Sequence, residues 1–139
     1  MPSPERVIPL LVYQDIQRAH DFLVDVLGFE PGGVERTAEG EAVHGEVRLG
    51  GTDIWLHRVT EEHQLGSPET IDMAGAGMVV HVSDVDDHFA RVQATGAQIE
   101  YEPTDQPYGQ REYAVRDPEG HRWWFATPNT TQQPSSEAV

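Results

Sequence analysis

Histidine, tryptophan and carboxylate side chains that share strand faces are the residues of this chain best placed to do chemistry. Successive side chains of a β-strand point to opposite faces, so residues two apart share one. Over 42–49 this groups His44, Glu46 and Arg48, and over 52–59 it separates Trp55 and His57 from apolar Ile54 and Leu56. Over 121–126, Arg122, Trp124 and Ala126 lie opposite His121, Trp123 and Phe125, and near 78–82 His81 shares a face with Gly77 and Val79. A tryptophan offers a broad apolar ring with one N–H and holds cations over that ring. Trp55 and Trp124 therefore suit a flat aromatic or heteroaromatic ligand; the other reading is that they fill core. A histidine in a closed apolar cavity can stay neutral near pH 7 and act as a general base, a role open to His57 and His81. The plainer role for His81 is a half-buried, hydrogen-bonded ring, and for His44 and Glu46 an exposed strand face. Tyr108, Arg111, Glu112 and Tyr113 add hydrogen-bonding groups around the strand candidate 110–116, with no spacing that demands a function.

Other chemistries are excluded more simply. The chain has no cysteine, which removes thiol nucleophiles, thiolate metal sites and disulfides. Gly75, Gly77 and the Gly32-Gly33 pair make no phosphate loop, and no Gly-x-Ser-x-Gly elbow occurs. There are 24 acidic side chains against 9 basic ones, for a formal net charge of −15. Such a field repels nucleic acid and anionic membranes and attracts cations, and it also confers solubility. No run approaches the length needed to span a bilayer, and no long apolar stretch follows Met1-Pro2-Ser3 as in a signal peptide. A cytoplasmic protein without nucleic-acid or membrane partners is expected.

The elements that must position these residues come in a repeat. A strand over 7–13 precedes Asp15, a good N-cap, and Ile16, Ala19, Phe22, Leu23 and Val26 follow at helical spacing up to Leu27-Gly28. Strands are predicted over 29–37, 42–49 and 52–59, with Gly50-Gly51 as a tight hairpin. After a polar linker over 60–74 the pattern returns: a strand over 78–82, a helix from Asp84 to Gly96, and strands over 98–102, 110–116 and 121–126. One helix covers only one face of a sheet. The expected fold is α+β: two tandem βαβββ modules, about 6–59 and 76–127, forming a curved mixed sheet around a cavity. They would make one domain over 1–127, with a disordered tail over 128–139.

Particular residues carry this order toward a known family. The first module has Val12-Tyr13-Gln14-Asp15, Phe22 and Leu27-Gly28-Phe29; the second has His81-Val82-Ser83-Asp84-Val85-Asp86, Gly96-Ala97 and Asp117-Pro118-Glu119-Gly120-His121. Over about residues 6–127 the chain resembles the vicinal-oxygen-chelate superfamily of glyoxalases, bleomycin resistance proteins and extradiol dioxygenases. The resemblance implies a homodimer, as in many members. It also places the metal ligands of metal-dependent members at Ile8, Trp55, Gly77 and Trp124, none of which is a ligand type. No metal and no other cofactor is therefore expected, and glyoxalase I and dioxygenase chemistry, which need the metal, are not expected. His57 and Glu46 lie nearby as donors for an atypical site.

The family register turns Trp55, His57, Arg122 and Trp124 toward the cavity. With His81, His44 and Glu46 they form the expected ligand site. The expected function is non-catalytic sequestration of a planar or cationic small molecule, similar to the bleomycin-resistance branch. The alternative is a metal-independent or atypical-metal lyase or isomerase, with His57 or His81 as base. A third reading is an interaction module whose cavity is filled by side chains.

Overall fold

Asp15 and Asp84 start the two long helices in the same way. In the computed structural model, which describes residues 4–129, both have extended backbone angles. Their carboxylates accept from the N–H three residues on, Arg18 at 3.0 Å and Asp87 at 3.1 Å. Each bond satisfies a donor that a helix start leaves without an internal partner. Gly28 and Gly96 follow the helices at φ of +90° and +83°, a left-handed turn that costs glycine little.

The elements run β1 (Leu10–Tyr13), α1 (Ile16–Asp25), β2 (Glu30–Arg36), β3 (Ala42–Leu49), β4 (Thr52–Arg58), α2 (Pro68–Ile71), β5 (Gly77–His81), α3 (Val85–Ala94), β6 (Gln98–Gln106), β7 (Gln110–Arg116) and β8 (Arg122–Pro128). They divide into two compact units between Ile71 and Asp72. The first unit holds a sheet of order β1-β4-β3-β2, the second a sheet of order β5-β8-β7-β6. In each, the outer first strand pairs in parallel and the other neighbours are antiparallel. Each unit is thus a mixed four-stranded sheet in βαβββ order, the α+β architecture anticipated from the repeat.

In each unit the helix seals one face. Helix α1 packs on β2, β3 and β4. Val47, Ile54 and Leu56 are buried beneath it, and a Cβ on Gly45 would stand 2.9 Å from Ile16 Cγ2. Helix α3 packs on β6, β7 and β8. His88 stacks on Phe125 with centroids 4.2 Å apart and sits 2.7 Å from the Tyr113 hydroxyl, while Phe89 meets Tyr113 edge-on at 5.2 Å. Trp123 is fully buried on the same face. Its indole N–H donates to Asp117 at 3.1 Å, and the other Asp117 oxygen accepts the backbone N–H groups of Glu119 and His121, each at 3.1 Å. The Asp-Pro-x-Gly turn therefore fixes the entry of β8.

Several boundaries differ from the sequence expectation. Strand β1 begins at Leu10, after Pro9, which has no N–H for the ladder, although its carbonyl still accepts from Trp55 at 2.9 Å. The segment read as a linker holds the one-turn helix α2. Ser67 O accepts from the Thr70 and Ile71 N–H groups at 3.0 and 3.1 Å, and Pro68 takes the first helical position, where no N–H is needed. Strand β6 continues past Pro103 because the ladder shifts register between Tyr101 and Thr104, a bulge that relieves the proline of pairing. Strand β8 runs through Pro128, and the Asn129 N–H donates to Gly109 O at 2.9 Å. The rest of the tail expected to be disordered, 130–139, lies outside the described residues. Among the described residues no helix is long and apolar enough to cross a membrane.

Gly45 tests the helix-to-sheet contact. Gly45→Val should push Ile16 off the sheet and lower the unfolding free energy by about 1–3 kcal/mol in urea melts. An unchanged midpoint would mean that α1 does not lie this close.

Candidate functional site

Period-two alternation leaves the other face of each sheet to the residues singled out from sequence. In the first unit His44 pairs in register with His57, and Glu46 with Trp55. All four lie opposite the face that carries Val47, Ile54 and Leu56. His44 Nε2 is 3.1 Å from Glu46 Oε2, and its ring meets Trp55 edge-on at 5.3 Å. His57 Nδ1 lies 2.6 Å from the Arg58 carbonyl oxygen, so this nitrogen carries the proton and donates. The Nε2 of neutral His57 is then a bare acceptor. Trp55 is 37% exposed, which does not suit a core-filling side chain.

In the second unit Arg122, Trp124 and His81 share the face turned away from α3. Gly77 pairs with Arg122, Val79 with Trp124 and His81 with Ala126. The Trp124 ring lies across Gly77, where a Cβ would come within 2.2 Å of it. Glycine is needed there to make room for the ring. The Arg122 guanidinium stands 5.6 Å from the Trp124 ring centroid and 3.6 Å from Glu100.

The centre of this face is a residue whose role the sequence did not disclose. Glu112 pairs with Ala126 and is only 3% exposed. Its carboxylate accepts from the hydroxyls of Tyr101 and Tyr108 and from the Gln110 side-chain amide, the last at 2.9 Å. Gln110 Oε1 in turn lies 3.2 Å from His81 Nε2. Burial pushes the Glu112 carboxyl up, but the bonds from Tyr101, Tyr108 and Gln110 outweigh it and hold the group below the usual glutamate range. Burial, with the Glu112 charge, pushes Tyr101 well up and Tyr108 up to about 12, so both hydroxyls keep their protons at neutral pH.

Alternation over 110–116 sets Gln110, Glu112 and Ala114 opposite Tyr113 and Val115, which was the available signal for Glu112. Tyr101 reaches it because the β6 ladder also shifts register between Ile99 and Tyr101, which the sequence does not announce. Of the neighbours noted beside it, Arg111 instead pairs with Asp86 at 3.0 Å, and Tyr113 is buried under α3. A concavity of about 530 Å³ also opens where β1 meets α1, flanked by Asp15, Arg36, Glu41 and Arg58, but none of the residues selected from sequence lines it.

The family's metal does not fit these residues. Among the described residues no three His, Asp or Glu side chains come together as metal donors. At two of the four positions, the Trp124 ring takes the space that Gly77 leaves.

Comparison with known proteins places this fold. The model of the Glyoxalase/Bleomycin resistance protein/Dioxygenase superfamily matches residues 7–125, and the chain belongs to that superfamily. It is 31% identical over 128 residues to an uncharacterized protein of Mycobacterium bovis, covering 86% of this chain and 81% of the relative. Among solved structures, TioX from Micromonospora sp. ML1 is 36% identical with a TM-score of 0.70, over 90% of this chain and 99% of TioX. The bleomycin-binding protein of Streptomyces verticillus, solved with copper(II)-bleomycin, is 24% identical with a TM-score of 0.65, over 93% of this chain and 100% of that one. At that identity the likeness is one of fold.

Removing the carboxylate isolates its contribution. Glu112→Ala leaves two tyrosine hydroxyls and an amide without their acceptor and should cost about 1–3 kcal/mol of stability at pH 7. The folded-state pKa lies below the unfolded one, so the stabilisation is full above the ordinary glutamate range and is lost as pH falls through the folded value. Urea melts should show the gap between wild type and variant closing below about pH 4. A gap that widens toward acid would contradict the assignment.

Proposed function

We propose that this chain is a small-molecule-binding protein of the glyoxalase/bleomycin-resistance type that sequesters a planar or cationic compound without a metal. The observation that carries this reading is the presence of Trp55 and Trp124, on helix-free sheet faces, where metal-dependent members place ligands. The residues proposed for ligand contact are Trp55, His57, His44 and Glu46 on the first sheet, and His81, Arg122 and Trp124 on the second. The rings supply stacking area and cation–π attraction, and the histidines and carboxylate supply orientation. The net charge of −15 favours the approach of cations. The solved complex of a structural neighbour with copper(II)-bleomycin supports the same use of the fold.

A metal-independent lyase or isomerase is the second reading. Its support is His57, whose Nδ1 is committed to the Arg58 carbonyl and whose Nε2 is left as a base. Turnover of a bound compound, lost in His57→Gln without loss of affinity, would favour it over sequestration.

Two tests follow. For a planar compound found by quenching of intrinsic tryptophan fluorescence, Trp55→Ala or Trp124→Ala should weaken binding by about 1–3 kcal/mol, or roughly 5- to 150-fold in Kd. If both leave Kd unchanged while sharply lowering Tm, the two rings are packing residues and the site is wrong. A homodimer is also proposed, because the edge strands of each sheet favour pairing with a second copy. Light scattering at micromolar concentration should give twice the chain mass of 15.5 kDa, and a monomer mass would contradict it.

A further inference from the structure

We propose that the His81 end of the helix-free face of the second sheet is an acceptor-only subsite, polarised by Glu112, for a cationic hydrogen-bond donor such as a protonated amine or amidinium. The inference rests on the small-molecule-binding reading and specifies which chemical group this face takes. It follows from where the protons must lie. A carboxylate only accepts, so Tyr101 and Tyr108 each spend their single hydroxyl proton on Glu112. Gln110 must turn its amide nitrogen to Glu112, which leaves Oε1 facing His81. That oxygen also only accepts, so His81 donates from Nε2, and the Nδ1 of its neutral ring is bare.

Every proton in the chain therefore points inward, toward Glu112. Tyr101 is half-buried. Tyr108 is 38% exposed and His81 is exposed, so the Tyr108 oxygen and His81 Nδ1 are the acceptors left for a ligand. Among the described residues Glu112 is held by hydroxyls and an amide, not by an arginine or histidine, so its charge is not neutralised. Arg122, on the same face, is paired with Glu100 and sits in register with Gly77, at the other end of β5 from His81. A buried unneutralised carboxylate beneath two outward acceptors is matched by a donor carrying positive charge. Glu112 is a positioning residue here, since it acts through the tyrosines and Gln110.

The test uses the full chain and two flat probes of similar size, 9-aminoacridine and acridine, at a pH where the first is a cation with N–H donors and the second is neutral. Tryptophan quenching and calorimetry should show 9-aminoacridine binding at least about tenfold more tightly. In Glu112→Gln the new amide donates to one tyrosine and releases that hydroxyl proton outward. The preference should fall to within about twofold, while acridine affinity stays the same. Tyr108→Phe, at an exposed ring, removes one outward acceptor and should reduce the preference even if Glu112→Gln does not fold. Equal binding of both probes to wild type would overturn the subsite and leave sequestration standing. A preference that survives both variants would overturn it too, by assigning selectivity to the general acidic field. Binding of neither probe would overturn the subsite and the planar-cation form of the sequestration reading together.

Discussion

Each sheet has one long helix to cover it, and one helix seals one face. With side chains alternating along a strand, half of every strand belongs to the core and half does not. The outcome is plainest in β8, where Trp123 and Phe125 are buried under α3 and Trp124, between them, stands on the other face. A slip of one residue would exchange these sets, so register must be held firmly. Asp117 does this by binding the Trp123 indole and two backbone N–H groups of the turn leading into the strand. The core contact and the placement of Trp124 on the opposite face are thus consequences of the same few bonds.

Much of this could be read in the sequence because the signals were local. Asp15 and Asp84 act as caps, Gly28 and Gly96 as left-handed stops, and the faces of 42–49, 52–58 and 122–128 alternate as their apolar residues require. What was not legible depended on pairing between distant residues. Gly77 reads from sequence as a missing ligand, whereas in the structure it is the space that Trp124 needs. Tyr101 carried no signal, because its meeting with Glu112 depends on a β6 register shift between Ile99 and Tyr101. The turn of helix at Pro68 was hidden in a polar stretch too short for periodicity to show.

Glu112 gives the second sheet its chemical character. Left without hydrogen bonds, a buried carboxylate would take up a proton and lose its charge. Three donors keep it ionised, and in doing so they orient Tyr101, Tyr108, Gln110 and His81 in sequence. The first sheet differs in kind: His44, Glu46 and His57 surround an exposed Trp55 and the face is only part-buried. One sheet therefore offers an organised polar centre beside an indole, and the other offers an open indole with polar neighbours.

If Glu112 is this ionised centre, its side-chain carboxyl carbon should report it directly. In ¹³C NMR, the resonance assigned by its loss in Glu112→Gln should titrate with a midpoint below the ordinary glutamate value of about 4.3. It should keep the carboxylate shift throughout the neutral range. A midpoint raised above the ordinary value would show that burial outweighs the three hydrogen bonds, and the inward direction of the surrounding protons would no longer follow.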